Sequence, residues 1–344
     1  MSALGPSAIR RQDSAVELEG VSKVFRRRLR PAGVSEAIRS LFRPCFEYIP
    51  ALSDVSFSVR RGEIVAYAGP NGAGKSTTLR LISGLMSADT GRITVLGAGP
   101  TDNRIALMKK IAVVFGQRTE LWWDHPVMAS LLWKKAVWAI PDCIFNEMLD
   151  FAKQVFGLDE LLEVPVRELS LGQRMRADLG FGLLHRPELG LLDEPTLGLD
   201  VDVKRRLIGG LRELNSEYGM TFLATSHDMD DMQSLADRIL LLNRGTLTFD
   251  GRFSEMRAMV EPVSYIAFHA TKEPRPTLLT FIRSDGLEHV YAFRNESNGA
   301  IAAAIADVEP YAVPGTLRVW EQSISDVVAD LYRSWEVSAS AELP

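Results

Sequence analysis

Apolar residues follow two different rhythms along this chain. From AVELEGVSKVF to about residue 250, short apolar runs alternate with stretches in which apolar positions recur every three or four residues. The first pattern is typical of buried strands and the second of amphipathic helices. The predicted strands are EIVAYAG (63–69), IAVVFG (111–116), LGLLDE (189–194) and MTFLATS (220–226). This alternation predicts an α/β fold in which helices cover a mostly parallel sheet.

The pattern changes in two places, which predicts further subdivisions. The strand signal disappears after residue 118, and helical periodicity predicts a helical subdomain over about 118–180. Six short segments after residue 260 predict a small α+β accessory domain, 260–344, in the order β-α-β-α-β-α. The polar start, 1–15, predicts a flexible terminus, and 16–255 forms the main domain.

Composition narrows the class of protein. The net charge of -5 and the isoelectric point near 5.7 argue against a nucleic-acid partner. The two cysteines, Cys45 and Cys143, lie far apart in the chain, which favours a reducing compartment over a disulfide framework. We find no signal-peptide pattern and no apolar run of about 18 residues. We therefore expect a cytoplasmic chain that reaches the membrane through a partner.

A glycine-rich segment follows the strand at 63–69. GPNGAGKST contains G-x-x-x-x-G-K-S between a strand and a helical run, which is the context that a phosphate-binding loop requires. Its backbone N–H groups are expected to surround phosphate oxygens, with Lys75 reaching the β- and γ-phosphates and Ser76 binding Mg²⁺. The predicted nucleotide-binding residues of this loop are Gly69, Pro70, Asn71, Gly72, Ala73, Gly74, Lys75, Ser76 and Thr77.

Polar residues end three of the other predicted strands. Asp193 and Glu194 end LGLLDE, and after a phosphate loop they predict a carboxylate that holds Mg²⁺ through water and a general base. Gln117 follows IAVVFG, where its amide can reach the metal and the attacking water. His227 follows MTFLATS, within reach of the γ-phosphate. All four lie at the carboxyl edge of the sheet, where ligands bind in such folds.

Together these motifs resemble the ATP-binding cassette family over about residues 16–250. The ordered set is GPNGAGKST, Gln117, LSLGQ (169–173), LLDEP, Gly198-Leu199-Asp200 and His227. The resemblance implies that Phe25 stacks on adenine and that Asp200 belongs to the nucleotide site. It also implies a dimer of two cassettes, expected to be identical, docked head to tail. Ser170, Gly172 and Gln173 of one chain then cap the γ-phosphate held by the other.

The resemblance further favours a transport engine. Gln117 and Ser170 are only 53 positions apart, which leaves no room for the long coiled coil that the repair ATPases have between these two motifs. The chain also carries one cassette, whereas the translation factors of the family carry two. The segment after Gln117 holds four of the six tryptophans: Trp122, Trp123, Trp133 and Trp138. Core packing can explain the last two, whereas the adjacent first pair suggests an interface. LWWD with LSLGQRMR resembles exporters that work with separate ABC-2-type permeases at the cytoplasmic face of the membrane. The alternative is a soluble cassette ATPase that acts on a protein complex.

Two segments lie outside this core. An arginine-rich insertion, 26–50, separates the first strand from ALSDVSFSV, and Val34, Ala37, Ile38, Leu41 and Phe42 share one helical face within it. It is either a solvated charge run with a small packed helix, or an amphipathic element that contacts an anionic membrane surface or the permease. The C-terminal unit shows no catalytic constellation, and we expect it to regulate or brace the dimer.

Overall fold

The computed structural model describes residues 13–28, 46–116, 119–270, 272–295 and 299–341. Two compact units divide the chain, Met1–Gly251 and Arg252–Pro344. The apolar face predicted for the insertion (Val34, Ala37, Ile38, Leu41 and Phe42) lies outside the described residues, as do three of its six arginines, Arg30, Arg39 and Arg43.

A six-stranded sheet forms the centre of the first unit. Its strands are β3 (Ile64–Ala68), β5 (Ile111–Phe115), β6 (Leu189–Asp193), β7 (Thr221–Ser226), β8 (Arg238–Asn243) and β9 (Thr246–Arg252). They lie in the order β5-β6-β7-β3-β8-β9, and the pairs from β5 to β8 are parallel. The four predicted strands are therefore confirmed. Each is almost wholly buried, which is why its sequence is a continuous apolar run.

In addition to the predicted mostly parallel sheet, the first unit has a second sheet, which the sequence did not predict. β1 (Ser14–Arg28) lies between β2 (Phe46–Arg60) and β4 (Thr90–Val95), and both pairings are antiparallel. Apolar runs show where strands occur but not which strands pair. The outer parts of the predicted insertion, Arg26–Arg28 and Phe46–Pro50, belong to β1 and β2. Side chains of both sheets and of the helix after the phosphate loop share one core, which includes Leu18, Phe57, Tyr67, Leu79 and Leu191.

Seven helices are described in the first unit: α1 (Lys75–Ile82), α2 (Arg104–Met108), α3 (Val127–Trp138), α4 (Asp142–Phe156), α5 (Leu171–Leu183), α6 (Val201–Tyr218) and α7 (Met229–Leu235). The segment after residue 118 is helical, as predicted: α3, α4, a 3-10 turn at Val166–Glu168, and α5. α4 ends at Gly157, in the left-handed conformation, and buries one stripe made of Phe145, Met148, Leu149, Ala152 and Phe156.

The packing of β6 against β7 explains why residue 190 is a glycine, which the sequence alone does not show. Glycine inside a strand has no side chain to pack, so the sequence predicts a slightly weakened strand. In the structure, a Cβ at this position would lie 2.5 Å from the ring of Phe222 on the neighbouring β7. The Phe222 ring therefore fills the space above the glycine, and the pair packs as one unit.

The described residues of the second unit form a four-stranded sheet and three helices. Helix α8 (Phe253–Arg257) precedes β10 (Val263–His269), β11 (Thr280–Asp285) and β12 (Glu288–Arg294), and α9 (Ala300–Val308), β13 (Arg318–Glu321) and α10 (Ile324–Ala341) follow. The predicted order β-α-β-α-β-α is wrong at its second element, because β11 is a strand. β11 is an edge strand with every residue exposed, so it lacks the apolar alternation of a half-buried strand.

Among the described residues, every helix is too short or too polar to cross a lipid bilayer.

Candidate nucleotide-binding site

The phosphate loop is shaped by two glycines in left-handed conformations. Gly72 has a φ of +80° and Gly74 a φ of +112°, values that side chains rarely allow. A Cβ at Gly74 would also lie 2.5 Å from the carbonyl oxygen of Ala51. The loop is held from the other side by the Gly245 N–H, which donates to the Ala73 carbonyl at 3.0 Å. Glycine at position 74 is thus required by both the backbone turn and the contact with β2.

Lys75 begins α1 and lies inside this loop. Its buried Nζ donates to the carbonyl oxygen of Gly69 at 2.7 Å and to that of Pro70 at 3.2 Å. Burial lowers the pKa of Lys75, and the nearby carboxylates of Glu194 and Asp193 oppose that shift. A buried ammonium group at the centre of a turn of backbone N–H groups is suited to an anion of high charge.

The two acids at the end of β6 are joined through a hydroxyl on β7. The Thr225 hydroxyl donates to Asp193 Oδ1 at 2.7 Å, and the Glu194 N–H donates to Thr225 Oγ1 at 3.1 Å. Glu194 has a φ of +54°, which is unusual for a residue with a side chain and is typical of strained functional sites. His227 Nδ1 lies 3.4 Å from Glu194 Oε1. The structure therefore brings Lys75 and these residues together at one edge of the sheet.

Thr225 is the member of this group that sequence reasoning missed. It is fully buried within MTFLATS, where a threonine fits a strand for ordinary reasons of β propensity. Only the parallel pairing of β6 with β7, which places Asp193 opposite Thr225, shows its connection to the acids. The signal available in the sequence was its position two residues before His227.

Gln117 lies outside the described residues. The nearest described backbone is Gly116, whose N–H donates to the Asp193 carbonyl oxygen at 3.0 Å.

The segment LSLGQ (169–173), which we call the signature segment, begins α5 with a reciprocal cap. The Gln173 N–H donates to Ser170 Oγ at 3.2 Å, and the Ser170 N–H donates to Gln173 Oε1 at 2.9 Å. This capping box uses the acceptor ends of both side chains. The Ser170 O–H and the Gln173 amide NH₂ are donors, so the helix start remains suited to an anion.

The rest of the signature packs on the segment before α6. A Cβ at Gly172 would lie 2.7 Å from the Gly198 carbonyl oxygen, so this position must be glycine. Leu171 packs towards Gly198 of the same segment and is half exposed. Asp200 caps α6 by accepting the Val203 N–H at 2.9 Å. Among the described residues, no hydrogen bond joins Ser170 to the phosphate loop of its own chain.

Phe25 lies on β1 opposite Ile49, and the residue is 36% exposed. Two positions earlier, Lys23 pairs with Leu52, whose side chain would contact a Cβ at Gly74 of the phosphate loop. Two residues along a strand span about 7 Å. The hairpin therefore places an exposed aromatic ring within the length of a nucleotide from the phosphate loop.

The donor set suits magnesium that arrives with a nucleotide. Mg²⁺ prefers hard oxygen ligands and is commonly held by one or two protein groups together with phosphates. The Ser76 hydroxyl in the first turn of α1 and the Asp193 carboxylate supply such oxygens. Within the described ranges, no cluster of three or more His, Cys, Asp or Glu side chains exists that would chelate a metal without the nucleotide.

Three exposed tryptophans form a second feature, on the helical subdomain. Trp122, Trp123 and Trp133 are 39%, 48% and 39% exposed, and we call them the tryptophan surface. The rings of Trp122 and Trp133 lie 5.4 Å apart, and Arg174 of α5 lies 4.5 Å from the ring of Trp123. Core packing was one explanation for Trp133, but the structure shows it on the surface.

A cavity of about 250 Å³ lies between β5 and α5. Its lining combines apolar side chains with two carboxylates, and includes Leu85, Phe115, Thr119, Glu120, Asp178 and Phe181. The Thr119 hydroxyl donates to Asp178 Oδ1 at 2.7 Å. Burial raises the pKa of Asp178 to about 7 and that of Glu120 in the same direction.

The fold and the site together define a P-loop ATPase cassette. The ABC transporter family model matches residues 52–197. The chain is 30% identical over 226 residues to the energy-coupling factor transporter ATP-binding protein EcfA2 of Clostridium perfringens, covering 64% of this chain and 79% of that protein. The chain belongs to the ATP-binding subunits of ABC transporters. It binds ATP and Mg²⁺, and it hydrolyses ATP in support of transport across a membrane.

Two further similarities show the breadth of this family. The linearmycin resistance ATP-binding protein LnrL of Bacillus subtilis is 32% identical over 202 residues, 59% of this chain and 64% of that protein. A solved dimeric ATP-binding cassette in a post-hydrolysis state, bound to ADP and Pi, has a TM-score of 0.55 at 25% identity, covering 69% of this chain and 98% of that one.

Proposed function

We propose that this chain is the ATPase of an exporter and works with separate ABC-2-type permease subunits at the cytoplasmic face of the membrane. The tryptophan surface is the observation that carries the proposal. Three exposed tryptophans lie on the helical subdomain, and the rings of two of them, Trp122 and Trp133, are 5.4 Å apart. A cluster of exposed aromatic side chains is typical of an interaction site, and tryptophan is a favoured anchor at protein interfaces. The resistance function named for LnrL supports export.

In the proposed cycle, two identical chains hold two ATP molecules between them. Phe25 stacks on adenine, and the loop from Gly69 to Thr77 surrounds the phosphates, with Lys75 on the β- and γ-phosphates. Ser76, Asp193 and Gln117 hold Mg²⁺, which neutralises phosphate charge when bound. The donor groups of Ser170, Gly172 and Gln173 of one chain face the γ-phosphate on the other, next to the segment that ends at Asp200.

Hydrolysis in this proposal depends on Glu194. Its carboxylate accepts a proton from the attacking water, and His227, 3.4 Å away, holds the γ-phosphate and orients the carboxylate. Thr225 fixes the backbone of Glu194 relative to Asp193. Closure of the dimer on ATP and its reopening after hydrolysis drive the permease through the tryptophan surface.

Purification from membranes of the native host tests this proposal. The tagged chain should retain six-span membrane proteins in detergent, identified by mass spectrometry, and Trp123→Ala with Trp133→Ala should release them. Trp320→Ala, which removes an exposed tryptophan from the C-terminal unit, is the matched control. Recovery of soluble proteins alone would instead support a soluble cassette ATPase acting on a protein complex.

Inverted membrane vesicles test the direction of transport. With the chain and its permease present, ATP should drive a membrane-permeable dye such as Hoechst 33342 into inverted vesicles if the system exports drug-like compounds. Glu194→Gln should abolish that uptake. ATP-dependent uptake into right-side-out vesicles would contradict export.

We also propose that the end of the β1–β2 hairpin contacts an anionic membrane surface. Arg26 pairs with Tyr48 and lies 4.1 Å from the Phe46 ring, so cationic and aromatic groups share one exposed end. Each basic residue near an anionic surface contributes about 1 kcal/mol. Changing Arg26 and Arg27 to Glu should weaken binding to vesicles containing phosphatidylserine while basal ATPase activity persists. Unchanged vesicle binding would favour a solvated hairpin.

A further inference from the structure

Strand β1 is irregular immediately before Phe25. Its pairing with β4 ends at Ser22, opposite Thr90, and its pairing with β2 shifts register between Val21 and Lys23 and again between Lys23 and Val24. Such irregularities re-aim the side chains that follow them. The direction of the Phe25 ring is therefore set by whatever holds β1 at these positions.

Asp89, in the turn before β4, holds all three residues that precede Phe25. Its Oδ2 accepts the Val24 N–H at 2.7 Å, its Oδ1 accepts Lys23 Nζ at 2.7 Å, and its own N–H donates to the Ser22 carbonyl oxygen at 3.0 Å. Val24 lies beyond the last β1–β4 pair, so the carboxylate takes the place that a strand carbonyl would occupy. The hydrogen bond from Lys23 lowers the pKa of Asp89, so the group is ionised at neutral pH.

The other side of the hairpin is fixed independently. The Ser53 N–H donates to the Gly245 carbonyl oxygen at 2.8 Å, and Ala51 and Leu52 lie against Gly74 of the phosphate loop. β2 is thus anchored to the phosphate loop, whereas β1 at Lys23–Phe25 is held by irregular pairing with β2 and by Asp89. Of these two restraints, only Asp89 connects this part of β1 to the β4 side of the sheet.

We propose that Asp89 is a positioning residue for nucleotide binding, which holds the Phe25 ring against the adenine base. The inference rests on the proposed stacking of Phe25. Stacking of a base on an aromatic ring requires the two flat surfaces to be in contact. A small displacement of β1 at Phe25 would therefore weaken the binding of adenine. Asp89 touches neither base nor phosphate, and its effect is expected on base binding alone.

The test compares ATP with inorganic tripolyphosphate, which carries the phosphates but no base. Asp89→Ala should raise the KM for ATP about three- to tenfold with kcat nearly unchanged, whereas the inhibition constant of tripolyphosphate should stay the same. Asp102→Ala is the matched control, because this exposed carboxylate also accepts a backbone N–H, from Gly99, and is not among the hydrogen-bond partners of Lys23 or Val24. Lys23→Met, which retains the acceptor for Val24, should have a smaller effect than Asp89→Ala.

Phe25→Ala separates failure of this inference from failure of the stacking assignment. The double variant Asp89→Ala/Phe25→Ala should bind ATP no more weakly than Phe25→Ala alone, since Asp89 acts through the ring. If Phe25→Ala raises the KM for ATP and Asp89→Ala does not, the positioning role is wrong. If Phe25→Ala has no effect, the stacking assignment itself is wrong. Equal losses for ATP and tripolyphosphate in Asp89→Ala would show a general structural role and would overturn the inference.

Discussion

The hydroxyl of Thr225 donates to Asp193 across the boundary between two parallel strands, over 2.7 Å, and its oxygen accepts the N–H of Glu194. One buried hydroxyl therefore sets the spacing between the predicted metal ligand and the predicted base. Thr225→Val keeps the shape but removes the donor and leaves the Asp193 oxygen without its partner. Loss of such a bond costs about 1–3 kcal/mol, so we expect kcat for ATP hydrolysis to fall about 5- to 150-fold.

Thr225→Ser is the control for that prediction, because it retains the hydroxyl on a smaller side chain. Its kcat should stay within about threefold of the unaltered chain. Equal activity of the valine and serine variants would show that the hydroxyl does not organise the site.

Glu194→Gln should stop hydrolysis while ATP still binds. The amide cannot accept a proton from water, and its size and its backbone bonds to Thr225 are unchanged. Steady-state ATPase activity should drop by about two or more orders of magnitude. With Mg·ATP the closed dimer should accumulate, which size-exclusion chromatography with light scattering measures. Near-normal turnover would assign the base elsewhere.

Mixing two inactive variants tests whether the signature serves the other chain. Lys75→Ala damages the phosphate loop and Ser170→Arg blocks the helix start, so each homodimer should be nearly inactive. In a mixed dimer, one site carries both defects and the other carries none if Ser170 acts across the interface. ATPase activity should therefore partly return on mixing. Activity that stays absent, while ATP-dependent dimers form in the mixture, would place Ser170 at its own chain's nucleotide.

Asp178 makes the stability of the chain depend on pH in a defined direction. Burial raises its pKa from 3.8 to about 7, with Thr119, the Glu120 backbone and carboxylate, and Arg174 as its polar neighbours. Between about pH 4 and 7 the unfolded chain loses this proton while the folded chain keeps it, so the residue lowers stability as pH rises. Asp178→Asn should therefore raise the free energy of unfolding at pH 8 by on the order of 2 kcal/mol, and by less at pH 5.

Urea unfolding at the two pH values measures that difference. Asp159→Asn, which alters an exposed carboxylate on the same subdomain, should change stability little at either pH. An equal gain for Asp178→Asn at pH 5 and pH 8 would contradict the assignment of the raised pKa.

Two adjacent glycines in α6, one packed against α4 and one without neighbours, allow the cost of overpacking to be measured by the same substitution. A Cβ at Gly210 would lie 2.2 Å from Cγ1 of Val155 on α4, whereas a Cβ at Gly209 would meet no atom within 4 Å. Gly209→Ala should stabilise the chain by about 0.5–1 kcal/mol through helix propensity. Gly210→Ala should destabilise it by about 1–3 kcal/mol through overpacking, as thermal unfolding can show. Similar shifts for both would mean that α4 moves freely away from α6.

The local elements of the nucleotide site follow from sequence because their chemistry is contiguous. A phosphate loop needs its glycines, its lysine and its hydroxyl within one short segment. Likewise, an apolar run that ends in Asp193-Glu194 predicts both a buried strand and the polar residues at its end. The capping box of Ser170 and Gln173 is equally local, since its partners are three residues apart. Such features are set by backbone geometry over a few residues, so a single sequence predicts them.

Relationships between distant segments were decided by the tertiary structure. Four examples are the antiparallel sheet of β1, β2 and β4, the edge strand β11, the hydrogen bond from Thr225 to Asp193, and the hydrogen bonds of Asp89 to β1. Each joins residues that are distant in the sequence, and nothing in the sequence indicates that they are in contact. Gly190 shows the same limit, because its sequence suggests weak packing and only the ring of Phe222 on the next strand explains it. Apolar patterns report that a face is buried, but the partner that covers it depends on how strands pair and stack, and that is a property of the whole fold.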